Sequence, residues 1–450
     1  MKIRNLIVPG LMALIVGISS CRDDFDFDLA TENLSFSNDT VHLDTVFNHT
    51  NSQTFKLTVH NHQNDDVLIP RIFLSRGEAS LFKLNVDGMP GYDFENVPIR
   101  KKDSIFIFVE IAAGEAPVNP LYEDEINFET TTHHQQIKLI SYIEKALFYN
   151  TDQTEDYSLG NINWDNEYSR VIFGKVSADN VNIGPGTKVY FHQNAELNIN
   201  GSVSINGTAQ ENVVFRTDRM DERSDSLPNM WGKIKLKSPN NTVFNKIDYA
   251  IIKGGHIGLE VEDSYLEISN TKILNNESIG LYAKNSNITG SNLVINNSDI
   301  TAVGIEGGVY DFRHCTFANY HNIGQGAGYN WSLYLSNEGN PLNARFYNSI
   351  FYGRAMNAVQ VEEGTTGNIQ FDFNLIKGEN PNGATNTLNE DPLFVNSGFG
   401  KNDLRLFLES PAQNAGSNSY IIPTDILGQA RSTNPTLGAY EILIDPETLP

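Results

Sequence analysis

The sequence predicts an all-β protein, most of it a β-solenoid preceded by a small β-sandwich. Three observations point there. Apolar residues five positions apart recur through the second half of the chain at intervals of 20 to 34 residues, a period at which one coil cannot bury its own apolar face but stacked coils can. A second apolar–polar alternation follows most of these pairs, once per repeat. Before the repeats, from Leu34 to about Glu144, short alternating runs such as TFKLTVHNHQ, FKLNVDG, DSIFIFVEI and EINFET are separated by turn-rich segments, the pattern of a sandwich.

The N-terminus concerns location. Lys2 and Arg4 precede an apolar stretch from Leu6 to Ile18 that is too short to span a bilayer, so residues 1–20 read as a secretory signal. The signal ends in Ile18-Ser19-Ser20-Cys21, which resembles the lipobox of bacterial lipoproteins. The resemblance implies that Cys21 is lipidated and becomes the mature N-terminus. The chain has only one other cysteine, so no disulfide explains Cys21. The RDDFDFD that follows resembles the surface-export signal of Bacteroidetes lipoproteins, which implies a lipid-anchored protein of the outer membrane facing the cell exterior. Residues 21–33 are read as an acidic tether.

Charge narrows the partners. The net charge of −23 falls to about −25 when Lys2 and Arg4 leave with the signal. Such a chain repels polyanions, which excludes nucleic acid as a partner. An anionic polysaccharide would need bridging cations.

Residues 34–145 form the expected sandwich. The run VHNHQNDDVLIP with the later turn RKKDS before IFIFVEI resembles the Ig-like modules near the anchors of bacterial surface proteins, which implies a spacer or contact role. Residues 146–160 (ALFYNTDQTEDYSLG) are read as a linker.

The solenoid is expected over 161–441. Its opening carries Ile183, Pro185, Gly186, Thr187, Val189 and Phe191, then Gly201 with Gly207-Thr208, Val214-Phe215 and Trp231-Gly232. This resembles the first rungs of secreted parallel β-helix proteins. The repeat itself appears in Ile247/Ile252, Ile268/Ile273, Ile288/Leu293, Phe312/Phe317, Phe346/Phe351 and Phe371/Ile376, with two strands expected per coil. Three residues after each leading member stand Ala250, Thr271, Ser291, Cys315, Ser349 and Asn374. That column is small and stacked, so Cys315 is a packed residue rather than a nucleophile. Phe312, Phe346 and Phe371 read as an interior stack.

The end of the chain carries DPLFVN, DLRLFLESPAQNAGSN, DILGQAR and LGAYE within 391–441. It resembles the closing module of bacterial right-handed parallel β-helix proteins of the pectate-lyase-like, choice-of-anchor Q kind. The module is expected to cap the last coil, whose open strand edges invite aggregation; residues 442–450 form a tail.

Chemistry is sought on the second strand series. There Leu259 and Val261, Leu281 and Ala283, Val303 and Ile305, Leu333 and Leu335, and Val359 and Val361 must face inward, turning their neighbours outward. One outward column holds Glu260, Tyr282, Gly304, Tyr334 and Gln360; the next holds Glu262, Lys284, Glu306, Ser336 and Glu362. A lyase would use Lys284 as base beside a Glu-bound Ca²⁺, and a hydrolase would use Glu306 and Glu362 as acid and base. Against both stands a basic set that amounts to one lysine, so an ordinary surface charge ladder weighs more. Tyr282 and Tyr334, flanked by Glu260, Glu262 and Gln360, could instead stack on sugar rings, which requires less than catalysis. The insertion RTDRMDERSDSLPNM (216–230) brings Asp218, Asp221 and Asp225 together as a weak metal candidate without the spacing of a known Ca²⁺ loop.

The expectation is a non-catalytic surface lipoprotein whose solenoid binds glycan or protein and needs no cofactor, Ca²⁺ being the only candidate. The alternative is a polysaccharide lyase or glycoside hydrolase. Oligomeric state is left open.

Overall fold

A computed structural model describes residues 27–240, 242–322, 329–337, 339–398 and 400–448; the signal and Cys21 lie outside the described residues. The chain divides into two compact units, Met1–Glu144 and Lys145–Pro450.

The first unit is a β-sandwich of a seven-stranded and a five-stranded sheet. Alternation places Leu57, Val59, Leu84, Val86, Val109 and Ile107 of one sheet and Ile69, Ile72, Ile126, Phe128 and Leu139 of the other in a single apolar core. The acidic tether is shorter than expected: Asp28–Leu29 already pairs in parallel with Val67–Leu74, and Ala30 is fully buried.

The second unit is a parallel β-helix. Each coil contributes three strands rather than two, because the apolar pairs five apart straddle a corner. Ile247 lies on strand Lys246–Asp248 and Ile252 on Ala250–Lys253, with Tyr249 between them at φ +50°. Equivalent corners are turned by Asn270, Asn292, His314, Asn348 and Phe373, all at positive φ. Asparagine is common there because its short polar side chain tolerates this region and bonds locally; Asn292 donates to Asn270 Oδ1 at 2.9 Å.

One expected repeat pair is corrected by two residues. Ile268 registers with Gly290 and Gly290 with Phe312, while Ile273 registers with Ile295. The apolar pair of that coil is therefore Gly290/Ile295, not Ile288/Leu293, and Leu293 rather than Ser291 joins the column of Cys315. Glycine stands there because the Phe312 ring fills the space: a Cβ on Gly290 would lie 2.3 Å from Phe312 Cδ1. Cys315 itself is fully buried, its thiol pushed up to about 12 by burial.

The expected linker is the first coil. Ala146–Tyr149 pairs with Ser169–Ile172 and Tyr157–Ser158 with Lys175–Ala178. The closing module lies along the side of the helix rather than over its end. Outward residues Val294 and Ala318 pack on Leu404, Ile426, Ala439 and Tyr440, and Ile350 and Leu375 on Leu406, Ala412 and Leu437. The outer face of that sheet is apolar and needs a cover. Buried Arg431 pins the module, reaching Glu441 at 3.1 Å, Asn292 Oδ1 at 2.9 Å and the Gly438 carbonyl at 3.0 Å. Leu443–Ile444, expected in the tail, pairs with Asp403–Phe407.

Candidate functional site

A second face of the helix carries no such cover among the described residues. On it, strands Ile257–Glu262, Ile279–Ser291, Thr301–Arg313, Trp331–Ser336 and Val359–Val361 pair in parallel. Leu259, Leu281, Val303, Leu333 and Val359 share one register and enter the core. Alternation then aligns Glu260, Tyr282, Gly304, Tyr334 and Gln360 in one column and Glu262, Lys284, Glu306 and Ser336 in the next. Glu362 follows the last strand, its N–H on the Leu335 carbonyl at 2.8 Å.

Gly304 makes this column concave. With no side chain between Tyr282 and Tyr334, a groove of about 390 Å³ opens over it. Ile279 and Tyr282 form one wall. The other is an aromatic stack: Tyr329 on Trp331 at 4.3 Å and 5°, and Trp331 on Tyr334 at 5.1 Å and 19°. Tyr329 is 65% exposed. A Cβ on Gly304 would meet Thr301 Cγ2 at 3.4 Å and Tyr282 Cδ2 at 3.6 Å, ordinary contact distances, so packing alone does not demand glycine.

Each tyrosine faces a carboxylate of the following coil. The Tyr282 hydroxyl donates to Glu306 Oε2 at 2.7 Å, and the Glu362 carboxylate, after burial, helps to raise the Tyr334 phenol. Burial, then the Glu306 contact, hold the Tyr282 phenol well above its usual range, so it stays a neutral donor. Lys284 Nζ takes the other Glu306 oxygen at 2.6 Å.

The basic set is larger than the single lysine expected. Lys233, Lys235 and Lys237 alternate about strand Ile234–Leu236, which registers with Glu260 and its neighbours. Glu260 is held by Lys233 at 2.6 Å and Lys235 at 2.7 Å; Glu262 by Lys235 at 2.7 Å and Lys237 at 3.2 Å. Burial raises the affinity of Glu260 for a proton, and the two lysines more than offset this, leaving its carboxyl below the usual range. The alternation is legible in GKIKLKS, one coil before the columns drawn from the repeat.

For catalysis these contacts are restrictive. A proton-abstracting Lys284 needs a free electron pair, whereas its ammonium is committed to Glu306. Both Glu306 oxygens are occupied, and Glu362 stands two coils away, roughly 9.6 Å at ~4.8 Å per coil.

The metal candidates are not brought together. Asp218 binds His192 Nδ1 at 2.7 Å, Asp221 caps a 3₁₀ turn through Ser224 N–H at 3.1 Å and pairs with Arg219, and Asp225 pairs with Arg216 at 2.7 Å and Lys253 at 2.8 Å. Among the described residues no group of three or more His, Cys, Asp or Glu could hold a metal ion.

Trp331 and the role of Tyr329 escaped the sequence. Both lie outside the strict alternation that marks the two columns. The available signal was the glycine in an outward column, with WSLY one repeat later.

No protein-family model matches the chain, and no curated protein does. Among solved structures, pectate lyase Pel9A is similar at TM-score 0.33 and 13% identity, over 66% of this chain and 86% of that one. The complex of XylC with xylose is similar at TM-score 0.29 and 10% identity, over 90% and 88%. Both likenesses are distant; the parallel β-helix rests on the strand register above.

Proposed function

We propose that the chain is a Bacteroidetes-type surface lipoprotein, anchored in the outer membrane through Cys21, whose sandwich is an Ig-like spacer and whose β-helix binds a glycan without turning it over. The observation that supports it most is the Tyr329–Trp331–Tyr334 wall, half-buried but for the exposed Tyr329, facing Tyr282 across the Gly304 floor. Sugar rings offer an apolar face to such walls and hydroxyls to the tyrosine oxygens at their edges.

A panel of soluble polysaccharides, assayed by calorimetry and for new chain ends, tests this. Trp331→Ala weakens binding about tenfold or more, as loss of a central aromatic anchor does, with the fold retained. New reducing or unsaturated ends that vanish in Glu306→Gln would replace this reading by an enzyme. For the anchor, Cys21→Ser moves the protein from the membrane to the soluble fraction; retention in membranes rejects lipidation.

A further inference from the structure

The aromatic groove is not alone on its face. About three coils toward the N-terminal end a second groove, of about 610 Å³, is lined by Thr154, Lys175, Ser177, Asn194 and Asn198. Its character is different: amides and hydroxyls stand with the carboxylates of Glu155 and Asp156 around it, and Tyr157 is the one ring in its lining, so it has no aromatic stack, and its acidic side disfavours an anionic ligand.

Register ties the two together. Ser177 pairs with Asn198, Asn198 with Lys235, Lys235 with Glu260 and Glu260 with Tyr282. One outward column therefore runs from the polar groove to the aromatic one. Three coil steps separate Asn198 from Tyr282, roughly 14 Å at ~4.8 Å per coil.

The surface between them is electrically closed. Lys233, Lys235 and Lys237 face Glu260, Glu262 and Asp263, three charges of each sign bound to one another. The Glu260 side chain is only 10% exposed. Ion pairs satisfied in this way offer hydrogen-bonding edges without a net field to attract either sign.

We propose that this face holds two subsites for one ligand, a neutral unbranched polysaccharide lying along the helix axis, stacked at Tyr282/Gly304/Trp331 and hydrogen-bonded at Ser177/Asn198. This rests on the glycan reading of the aromatic groove and adds a second site, the ligand's charge and its minimum length. A disaccharide reaches one groove only. An oligomer of about six units spans both, and joining two contacts in one molecule multiplies affinity without any new interaction.

Calorimetry of the full chain with β-1,4-linked gluco-, xylo- and manno-oligosaccharides of two to eight units, and with oligogalacturonates of the same lengths, tests the proposal. For one neutral series, affinity rises about tenfold or more between the trimer and the hexamer and then levels. Lys175→Ala/Asn198→Ala, an exposed and a half-buried position on the groove, abolishes that rise and leaves the trimer's affinity unchanged. Trp331→Ala weakens every length. Affinity independent of length, a rise that survives the double variant, or preference for the oligogalacturonates overturns the two-subsite inference while the glycan reading stands. Absence of saturable binding to every series rejects both.

Discussion

Two aromatic stacks occupy the same coils of the helix, one inside and one outside. Inside, Phe312, Phe346 and Phe371 stack along the axis at 5.7 and 4.7 Å, and Phe317 and Phe351 meet them edge-on. Outside, Tyr329, Trp331 and Tyr334 stack at similar spacing. All five interior rings are fully buried, whereas Tyr329 is mostly exposed. Ring stacking is therefore not what separates structure from function here. What separates them is whether the remaining ring surface meets protein or solvent, since only the second leaves apolar area for a ligand to cover.

Truncation inside and outside should separate accordingly. Phe346→Ala removes a fully buried ring touching Phe312, Phe351 and Phe371, and destabilises by about 3–5 kcal/mol. Chemical denaturation measures this, and a loss below about 1 kcal/mol would mean that the interior stack is not the tight core described. Trp331→Ala, by contrast, removes a half-buried ring stacked on Tyr329 and Tyr334 and lowers the unfolding free energy by less, about 0.5–1.5 kcal/mol.

A second contrast concerns glycines. Gly290 lies inside and its space belongs to Phe312; Gly304 lies outside and its space belongs to the groove. Gly290→Ala forces a Cβ within 2.3 Å of a buried ring and costs about 1–3 kcal/mol. Gly304→Leu places its Cβ at ordinary contact distances from Thr301, Tyr282 and Ile279 and sends the rest of its side chain into the groove, so binding to the aromatic subsite falls about tenfold or more at a smaller thermal cost. Equal thermal penalties for the two variants would break the distinction.

This contrast also explains what the sequence could show. Parallel strands with a strict period of two put Leu259 to Val359 inside and Tyr282 and Tyr334 outside, so both columns were legible from alternation alone. Gly290 hid one coil, because the atoms that fill its site come from Phe312, 22 positions later in the chain. The third strand per coil was hidden because its corners consist of one or two residues, too short to read as breaks. Trp331 was missed because alternation fails at the start of its strand, where Ser332 and Leu333 are both buried. The lateral position of the closing module depends on outward apolar residues such as Val294 and Ile350, which in the sequence look like core.

Charge is handled differently on the two sides as well. Outside, Glu260 keeps its charge because lysines surround it. Inside, His314 sits at a corner beneath the closing module, fully buried, with Nε2 3.0 Å from the Asn348 amide. Burial, then the nearby Arg431 and Arg313 charges, push its pKa well below the usual value despite the Gly438 and Thr436 backbone contacts. The folded protein thus holds His314 neutral where the unfolded chain, with a pKa of about 6.5, takes up a proton. Stability from this group is complete above that value and falls as pH drops below it, by up to about 1.4 kcal/mol per pH unit. His314→Asn removes the titration and keeps the positive φ, since asparagine turns the same corner at 270, 292 and 348. Between pH 6.5 and 5 the variant's unfolding free energy should decline less steeply than the parent's, with comparison of slopes cancelling any packing loss. Parallel slopes would show that protonation of His314 is not coupled to unfolding, and that the interior accommodates a charge as readily as the lysine-lined face does.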